Sequence, residues 1–511
     1  MDVGGTHTDA ALLDGTRVLH ALKARTTEDI ESGVVAALDA VLAGAEVPAS
    51  AVRAVTIGTT QFTNAVVERR HLTPSAIVRI SLPSGRMVPP KLDWPADLSA
   101  ALGDHVFMLH GGRLYDGRPL APADPVEADA VIDEIARREL TAVAVASVFA
   151  PVDATPELEF RARLLERLPH LRVVCSHEFG RIGLLERENA ALLNASLLAF
   201  AERVTGGFER ALAHHGLACP LYISQNDGTL MAIDFARRFP ALTFASGPTN
   251  SLRGAGLLTG LDDAVVIDIG GTTSDVGVLR GGFPRESNLG VEVGGARTSF
   301  RMPDILTLGL GGGSEVSADG RVVGPRSVGY ALLERGRVFG GDVLTATDIA
   351  VAAGLAELGD RRRVDGLDGA VVERALTLMH ARLDAAVDRM RTSAEPVPVV
   401  LVGGGAILVA RDLPSASVLH RPANAGVANA IGAAHAEVGA ESERIVPAAA
   451  RAETLADLER DARARVVAGG GRAEAVRIVD VEETAMSYMA EPTVRLRVKA
   501  VGPLDLDGVG A

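Results

Sequence analysis

Lysine is almost absent from this sequence, which has only three in 511 residues: Lys23, Lys91 and Lys499. None of them stands in the pattern G-x-x-x-x-G-K-[ST], so a Walker-type phosphate loop is excluded. A nucleotide bound by this chain would have to be held by glycine loops, hydroxyl groups, a metal ion and arginine.

Cysteine is also scarce, and Cys175 and Cys219 form neither a disulfide framework nor a metal-ligand spacing. They fit thiols in a reducing cytoplasm. No apolar run approaches the roughly 18 residues that span a bilayer. A signal-peptide n-region is missing too, because a glycine motif begins at residue 2. We therefore expect a cytoplasmic protein without membrane contact.

Positive charge is in deficit, since 51 Lys and Arg stand against 65 Asp and Glu, for a net charge of −14. This balance argues against a nucleic-acid-binding protein. The apolar content of 47% is that of an ordinary globular protein, and the length allows about three domains.

One glycine motif occurs twice, as D-[VI]-G-G-T-x-[ST]-D at residues 2–9 and 268–275. The paired glycines let backbone N–H groups approach an anion closely. The hydroxyl can donate to a phosphate oxygen, and the terminal carboxylates can hold a cation. A plain β-turn is the alternative, but the second copy favours two related halves that close on one nucleotide.

The rest of the chain alternates strands and helices, which predicts a mostly parallel α/β sheet. We expect a first lobe at 1–245 with an irregular insertion at about 83–125, a second lobe at 246–437, and a small α+β region at 438–511. Small-residue helices at 252–259 and 425–434 permit close packing and suggest a hinge.

Two polar clusters follow predicted strands, at 58–64 and 225–229, where open α/β sheets place their ligands. Thr59 also fits a plain helix cap. A buried strand normally leads into such a glycine turn, but only Met1 precedes Asp2. We expect either a very short strand or a true start of the protein upstream of this sequence.

The motifs DVGGTHTDA, GTTQFTNAVVERR, SQNDGTLM, ASGPTNSLRGAG, VIDIGGTTSDVG, LGLGGGSEV and GPRSVGY occur in this order. Together they resemble the hydantoinase/oxoprolinase family in its short form, over nearly the whole chain. The resemblance implies an α/β fold of duplicated actin-like ATPase (ribonuclease H-like) lobes, with ATP between two glycine hairpins.

The resemblance also implies roles for individual residues. The first hairpin would meet the β- and γ-phosphates through Gly4, Gly5, Thr6 and Thr8. The second would use Gly270, Gly271, Thr272 and Thr273, and the adenosine loop would be Gly403, Gly404 and Gly405. Asp2 and Asp268 would orient Mg²⁺, and the candidate catalytic carboxylates are Asp2, Asp268 and Asp275.

The family's activity implies an ATP-dependent hydrolase, or a subunit of one. It would open a cyclic amide such as a hydantoin, 5-oxoproline or another lactam by phosphorylating the carbonyl oxygen. A second hydrolase subunit, or a homo-oligomer, is the expected partner. Two alternatives stay open: a small-molecule kinase with Asp227 as base, and an ATP-driven switch or interaction protein.

Overall fold

The protein is described by a computed structural model that covers residues 1–4, 7–25, 30–179, 183–287, 290–487, 489 and 491–506. It confirms the predicted α/β fold, in which two lobes share one strand order. Within the described residues, no helix combines the length and apolar character needed to cross a bilayer.

The first lobe opens with a β-hairpin and a crossover. Its elements are β1 Asp2–Val3, β2 His7–Asp14, β3 Arg17–Arg25, α1 Ile30–Ala45, β4 Val55–Thr59 and α2 Gln61–Val67. Strand β1 runs antiparallel to β2 and parallel to β4, so it lies between them in the sheet.

A second, fully parallel sheet follows, in the order β6-β5-β7-β8. Its elements are β5 Ala76–Leu82, α3 Ala96–Leu102, β6 Val106–His110, α4 Pro125–Arg137, β7 Ala142–Ser147, α5 Thr155–Arg167, β8 Arg172–Cys175 and α6 Leu184–His214. The segment 83–125 was expected to be irregular, and that interpretation is wrong in part. It contains α3 and β6, which are too short to show a period among the surrounding prolines and glycines.

The chain then returns to the first sheet and continues into the first of the two small-residue helices. These elements are β9 Leu221–Ser224, β10 Leu230–Ala232, α7 Ile233–Arg238 and α8 Ser246–Thr259. Because β9 pairs parallel with β4, the central order of the first lobe is β3-β2-β1-β4-β9.

The second lobe repeats this plan with the order β13-β12-β11-β19-β20. Its elements are β11 Ala264–Ile269, β12 Ser274–Arg280, β13 Phe283–Pro284, β14 Val291–Val293, β15 Ala296–Thr298, β16 Ile305–Leu308, β17 Ser314–Val316, β18 Val323–Ser327, α9 Leu332–Arg335, α10 Ala346–Ala352, α11 Gly369–Met390, β19 Val397–Val402, β20 Ala416–His420 and α12 Ala428–His435. In both lobes an antiparallel hairpin is followed by parallel strands, as expected of a duplicated fold.

The C-terminal segment has the predicted α+β composition. It consists of β21 Val438–Pro447, α13 Arg451–Ala468, β22 Arg477–Ala485 and β23 Thr493–Gly502. Strand β21 pairs with β10 through Leu230 and Val438, so these strands extend the first lobe's sheet to nine strands. Residues 507–511 lie outside the described part of the chain.

The two predicted small-residue helices, α8 and α12, pack directly on each other. A Cβ on Gly254 would lie 1.9 Å from the carbonyl oxygen of Ala428, and a Cβ on Gly432 would lie 1.9 Å from that of Asn250. Only glycine tolerates such an approach. The helix that ends the first half of the chain therefore crosses the helix that ends the second half.

Candidate functional site

The two copies of the glycine motif form equivalent hairpins. Asp2 pairs across the ladder with Asp9, and Asp268 pairs with Asp275. The Gly4 N–H donates to the carbonyl of His7 at 3.0 Å, and the Gly270 N–H donates to that of Thr273 at 2.9 Å. Each lobe thus presents a tight glycine turn flanked by two carboxylates.

The first hairpin buries both of its carboxylates. Asp2 is 6% exposed and Asp9 is 2% exposed. Lys23 contacts Asp9 Oδ2 at 2.7 Å. The side-chain amide of Asn429 donates to Asp2 Oδ2 at 2.7 Å and to Asp9 Oδ2 at 2.8 Å. A single residue of α12 therefore holds two acids of the first lobe together.

Three acids of the site, Asp2, Asp268 and Asp275, have raised pKa values. Burial raises the pKa of Asp2, and the nearby charge of Asp9 adds to the effect. Burial raises the pKa of Asp268 to about 6, although a hydrogen bond from Ser251 Oγ at 2.5 Å opposes the shift. Burial also raises the pKa of Asp275, against a hydrogen bond from Thr307 at 2.6 Å. Such clustered shifts are typical of functional sites.

Helices α8 and α12 each contact the acid of one glycine motif, and in each case it is the motif of the other half of the chain. Ser251 lies on α8 and donates to Asp268 of the second lobe, whereas Asn429 lies on α12 and donates to Asp2 of the first. Ser251 precedes Gly254 by three positions, and Asn429 precedes Gly432 by the same three. The two donors are therefore equivalent positions of the duplicated fold.

A glycine loop between β16 and β17 supports the second hairpin from behind. The Gly312 N–H donates to the carbonyl of Gly270 at 3.0 Å, and the Gly313 N–H donates to that of Gly271 at 2.7 Å. A Cβ on Gly311 would lie 2.7 Å from the Gly271 carbonyl carbon. The loop therefore supports the hairpin turn, and Thr272 at the tip of that turn is exposed.

The predicted adenosine loop lies against the same hairpin. Gly403 has a φ of +82°, and a Cβ there would lie 2.3 Å from Asp268 Oδ1. A Cβ on Gly405 would lie 2.5 Å from Ile269 Cγ2, whereas one on Gly404 would meet nothing within 4 Å. The loop is therefore packed on one side and open at Gly404, which suits the face of a flat ring.

The structure describes some of the other predicted phosphate contacts and leaves two of them outside the described residues. Gly5 and Thr6 lie outside the described residues. Gly271 and Thr272 are exposed, and Thr273 is half-buried. Thr8 is fully buried on β2. Its counterpart Ser274 donates to the Leu310 carbonyl at 2.6 Å, a structural use of that hydroxyl position.

The polar cluster at 225–229 is occupied by contacts within the protein. Asn226 donates to the Ala241 carbonyl and accepts from the Ala245 N–H. Asp227 pairs with Lys499 at 2.7 Å and accepts from Thr229. Burial alone would raise the pKa of Asp227, but Lys499 and the hydrogen bonds outweigh it and hold that pKa below its usual value. An acid engaged in this way is a poor general base.

Sequence reasoning assigned no role to three residues that the structure brings to the acids: Lys23, Ser251 and Asn429. It did name the last carboxylate of each motif as a possible cation ligand, and Asp9 occupies in the first motif the place of Asp275 in the second. The two helix donors carried no local signal. Their partners are distant in sequence, and only the helix crossing places them.

The donor set at the first hairpin fits a hard divalent cation. Asp2 Oδ1, Asp9 Oδ1 and both amide atoms of Asn250 are buried without a hydrogen-bond partner in the part of the chain that the structure describes. Gly58 leaves room for two of these groups, since a Cβ there would lie 2.4 Å from Asp2 Oδ1 and 2.3 Å from Asn250 Nδ2. Unpaired buried oxygens at one place are the ligands that Mg²⁺ and its waters satisfy.

A second acid cluster, formed by Glu157, Cys175 and His177, has a structural explanation. The Glu157 carboxylate accepts from the Ser147 N–H at 2.7 Å and from His177 Nδ1 at 2.6 Å, and Ser176 donates to it as well. Burial raises the pKa of the Cys175 thiol, which disfavours the thiolate that a metal would need. This cluster ties β7, β8 and α5 together.

Comparisons with known proteins agree with this architecture. The chain matches the hydantoinase/oxoprolinase N-terminal region over residues 1–168 and hydantoinase/oxoprolinase over residues 187–360. Caprolactamase subunit alpha from Pseudomonas jessenii is 29% identical over 312 residues, which span 58% of this chain and 42% of that protein. The match thus covers less than half of the curated relative.

Two solved structures share the fold over almost the whole chain. The ATP-dependent caprolactamase from Pseudomonas jessenii has a TM-score of 0.78 at 20% identity, covering 99% of this chain and 88% of that one. A nucleotide-free acetone carboxylase has a TM-score of 0.69 at 17% identity, covering 98% and 87%. At these identities the likeness concerns the fold.

Proposed function

This chain belongs to the hydantoinase/oxoprolinase family, and from that premise we propose that it is the ATP-hydrolysing subunit of an enzyme that opens a cyclic amide. The substrate class is a hydantoin, 5-oxoproline or another lactam. The observation that carries the proposal is the pair of equivalent glycine hairpins. Each is flanked by two acids, and the first acid of each accepts a hydrogen bond from the helix that follows the other motif.

The chemistry explains why ATP would be needed. An unstrained lactam carbonyl is a poor electrophile, so water attacks it slowly. When bound, Mg-ATP would supply a phosphoryl group for the amide oxygen, whose phosphate ester is a good leaving group. Such a transfer needs alignment and charge neutralisation more than a strong base. The balance is one ATP and two waters consumed for each ADP, phosphate and open-chain amino acid formed.

The residues would divide this work between the lobes. The turns at Gly4 and Gly270 would direct backbone N–H groups at the phosphates. Asp2 and Asp9 would bind the cation from the first lobe, with Lys23 limiting their mutual repulsion. Asp268 and Asp275 would orient the cation's waters from the second lobe. Gly404 would carry the adenine.

The raised pKa values of Asp2 and Asp268 are consistent with this role. Burial of a carboxylate without a cation disfavours its charged form, and this raises the pKa of both groups. A bound divalent cation reverses that preference, so metal binding would release protons. We therefore propose that these acids bind a cation rather than a lone proton.

A partner subunit is part of the proposal. The curated relative is named as subunit alpha, and the matched stretch spans 42% of its length. We propose that the substrate's amide is held between this chain and a second subunit, with residues 58–64 on this chain's side. The kinase alternative loses its candidate base, because Asp227 is paired with Lys499.

The test is ATP turnover by the purified chain, alone and with a candidate second subunit encoded beside it. The panel would be caprolactam, hydantoin and 5-oxoproline, with a linear amide as control. We expect a cyclic amide to stimulate ADP release, with one ring opened per ADP. Asp268→Asn should abolish the stimulation. Failure of every cyclic amide, with and without the second subunit, would count against the proposal, and a stable phosphorylated product would favour a kinase.

A further inference from the structure

A cavity of about 260 Å³ lies beside β8, the last strand of the four-stranded parallel sheet. Helices α5 and α6 and the chain at the end of α7 form its other sides. None of the residues that line it belongs to either glycine motif. Because pockets for drug-sized ligands measure roughly 300–1,000 Å³, a cavity of this size suits a smaller molecule.

The floor of this cavity is apolar and rigid. Val174, Leu198 and Phe239 line it, and all three side chains are buried. The ring of Phe239 packs against Phe179 with its centre 5.8 Å away, and against Phe235 at 4.7 Å. The floor is therefore a preformed surface that can remove a hydrocarbon chain from water.

The rim of the cavity carries four arginines, which are Arg161, Arg172, Arg237 and Arg238. Two of them are fully engaged. Arg172 donates to both carboxylate oxygens of Glu202, at 3.1 and 2.7 Å. Arg237 pairs with Asp234 at 2.7 Å and with Glu209. The guanidinium groups of Arg172 and Arg237 are therefore neutralised by acids.

Arg161 and Arg238 are engaged much less. Both approach the same oxygen, Glu178 Oε1, at 3.8 and 3.7 Å, and these distances are too long for a hydrogen bond. Arg161 also donates to the Cys175 thiol, which is a weak acceptor. Within the described residues, neither guanidinium makes a hydrogen bond to a carboxylate. The two arginines and Glu178 together carry one positive charge in excess.

The groups around this excess charge are held in place. Glu178 Oε2 accepts from the Cys175 N–H at 2.9 Å, and the Arg238 carbonyl accepts from Asn194 Nδ2 at 2.8 Å. The Arg238 guanidinium lies over the ring of Phe239, 5.2 Å from its centre. Its side chain is 67% exposed and that of Arg161 is 33% exposed, so a ligand can reach both. Free donors thus stand at the edge of the apolar floor.

We propose that this cavity binds a small monocarboxylate with a short hydrocarbon chain. The carboxylate would accept hydrogen bonds from Arg161 and Arg238, because a guanidinium presents parallel N–H donors that match a carboxylate. The chain would lie on Leu198 and Phe239. One negative charge cancels the excess positive charge, and Glu178 competes with the ligand for the same two arginines. The site is separate from the proposed cation site and does not depend on the cyclic amide.

The experiment measures binding to the full chain by calorimetry, with sodium hexanoate as the probe and sodium chloride at equal ionic strength as the blank. Acetate offers the carboxylate without the chain, hexanol offers the chain without the charge, and inorganic phosphate is an anion without a hydrocarbon. We expect one hexanoate to bind per chain, about 10-fold or more tightly than each of the other three.

Three variants should change the affinity for hexanoate in opposite directions. Arg161→Gln and Arg238→Gln each remove a charged donor and should weaken binding by about 5-fold or more. Glu178→Gln keeps an acceptor for the Cys175 N–H but removes the competing charge, so it should tighten binding by about 5-fold. Arg210→Gln is the matched control on α6, because Arg210 pairs with Glu31 outside the cavity. It changes the net charge equally and should bind hexanoate normally.

Several results would overturn the proposal. The first is a wild-type protein without saturable hexanoate binding, and the second is phosphate that binds more tightly than hexanoate. Equal affinities in the wild type, Arg161→Gln and Arg238→Gln would place the probe elsewhere. Weaker binding by Glu178→Gln would mean that this acid helps to hold the ligand instead of competing with it. Thermal unfolding of each variant verifies that it folds. None of these readouts involves ATP, so they stand even if the proposed activity is wrong.

Discussion

The side-chain amide of Asn429 lies 2.7 Å from Asp2 Oδ2, although 427 residues separate the two in the sequence. The same amide reaches Asp9, and its counterpart Ser251 reaches Asp268. Each lobe's acid is thus held by a helix that follows the other lobe's motif. Helix α12 packs on β2 and β4 of the first lobe, and α8 packs on β11, β12 and β19 of the second, so each donor lies on the sheet that carries its acid.

Loss of Asn429 should weaken cation binding. Asn429→Ala removes the donor that holds Asp2 and Asp9 together, and we expect a roughly 10- to 100-fold increase in the Mg²⁺ concentration needed for ATP hydrolysis. Asn429→Asp should be worse, because it keeps the shape and adds a third negative charge. The measurement is ATPase rate against Mg²⁺ concentration. A normal Mg²⁺ dependence in both variants would show that Asn429 does not position the acids.

Removing either motif acid should abolish activity. Asp2→Ala and Asp268→Ala each delete an oxygen donor from the proposed cation site, and we expect losses of about 100-fold or more in ATP hydrolysis. Asp133→Asn, on the surface of α4, is the control and should hydrolyse ATP normally. Unchanged nucleotide binding by calorimetry together with unchanged turnover in both variants would mean that the nucleotide lies elsewhere.

The raised pKa of Asp268 predicts that this carboxylate lowers the stability of the metal-free protein above pH 7, although we expect it to be needed for activity. Its pKa of about 6 exceeds the ordinary 3.8, so the metal-free folded protein binds this proton more readily than the unfolded chain does. The stability contributed by this group therefore increases as the pH falls from about 7 to 4, and it is lowest above pH 7. Asp268→Asn, which is always neutral, should be inactive yet more stable at pH 8.

The gain at pH 8 has an upper bound of about 3 kcal/mol, and it should shrink toward pH 4, where the wild-type carboxyl is protonated. Thermal unfolding without metal at both pH values measures it, with Asp133→Asn as the baseline. A stabilisation that is equal at the two pH values would show that the effect is not electrostatic.

The hinge should be intolerant of added atoms. Gly254→Ala and Gly432→Ala each place a Cβ 1.9 Å from a backbone oxygen of the opposing helix, so the helices must move apart. We expect destabilisation of about 1–3 kcal/mol or more, with reduced ATPase activity in the protein that still folds. Gly426→Ala, whose Cβ would meet nothing within 4 Å, is the control. Denaturant unfolding of the three variants compares them directly.

The C-terminal strands should be tied to the first lobe by Lys499. It is 5% exposed and contacts Asp227 at 2.7 Å and Glu286 at 3.3 Å. Lys499→Met leaves buried carboxylates without their cation, which should cost about 3–5 kcal/mol. Adding Asp227→Asn should recover part of that loss. A surface variant, Arg138→Met, should change stability by about 1 kcal/mol or less. Equal stability of the single and double variants would argue against the pairing.

Local sequence signals accounted for most of the fold. The repeat of D-[VI]-G-G-T predicted two hairpins, and the alternation of apolar runs predicted most strands and helices within a few residues. Both signals are local, because a glycine turn and a buried strand depend on neighbouring residues. The segment 83–125 was one exception, since α3 and β6 are short and lie among turn-forming residues. The short strands β14 to β18 and β20 of the second lobe were not predicted either.

The sequence alone determined the family, the lobe duplication and the first acid of each motif, because each depends on residue type within one short stretch. Tertiary structure decided which residues surround those acids. Asn429 and Ser251 reach them only because Gly254 and Gly432 let two helices cross at backbone contact. The sequence around Asp227 suggests a free acid in a polar turn. In the structure, Lys499 of strand β23 pairs with it and neutralises its charge. Contacts between such distant positions arise from chain packing, and no local pattern carries them.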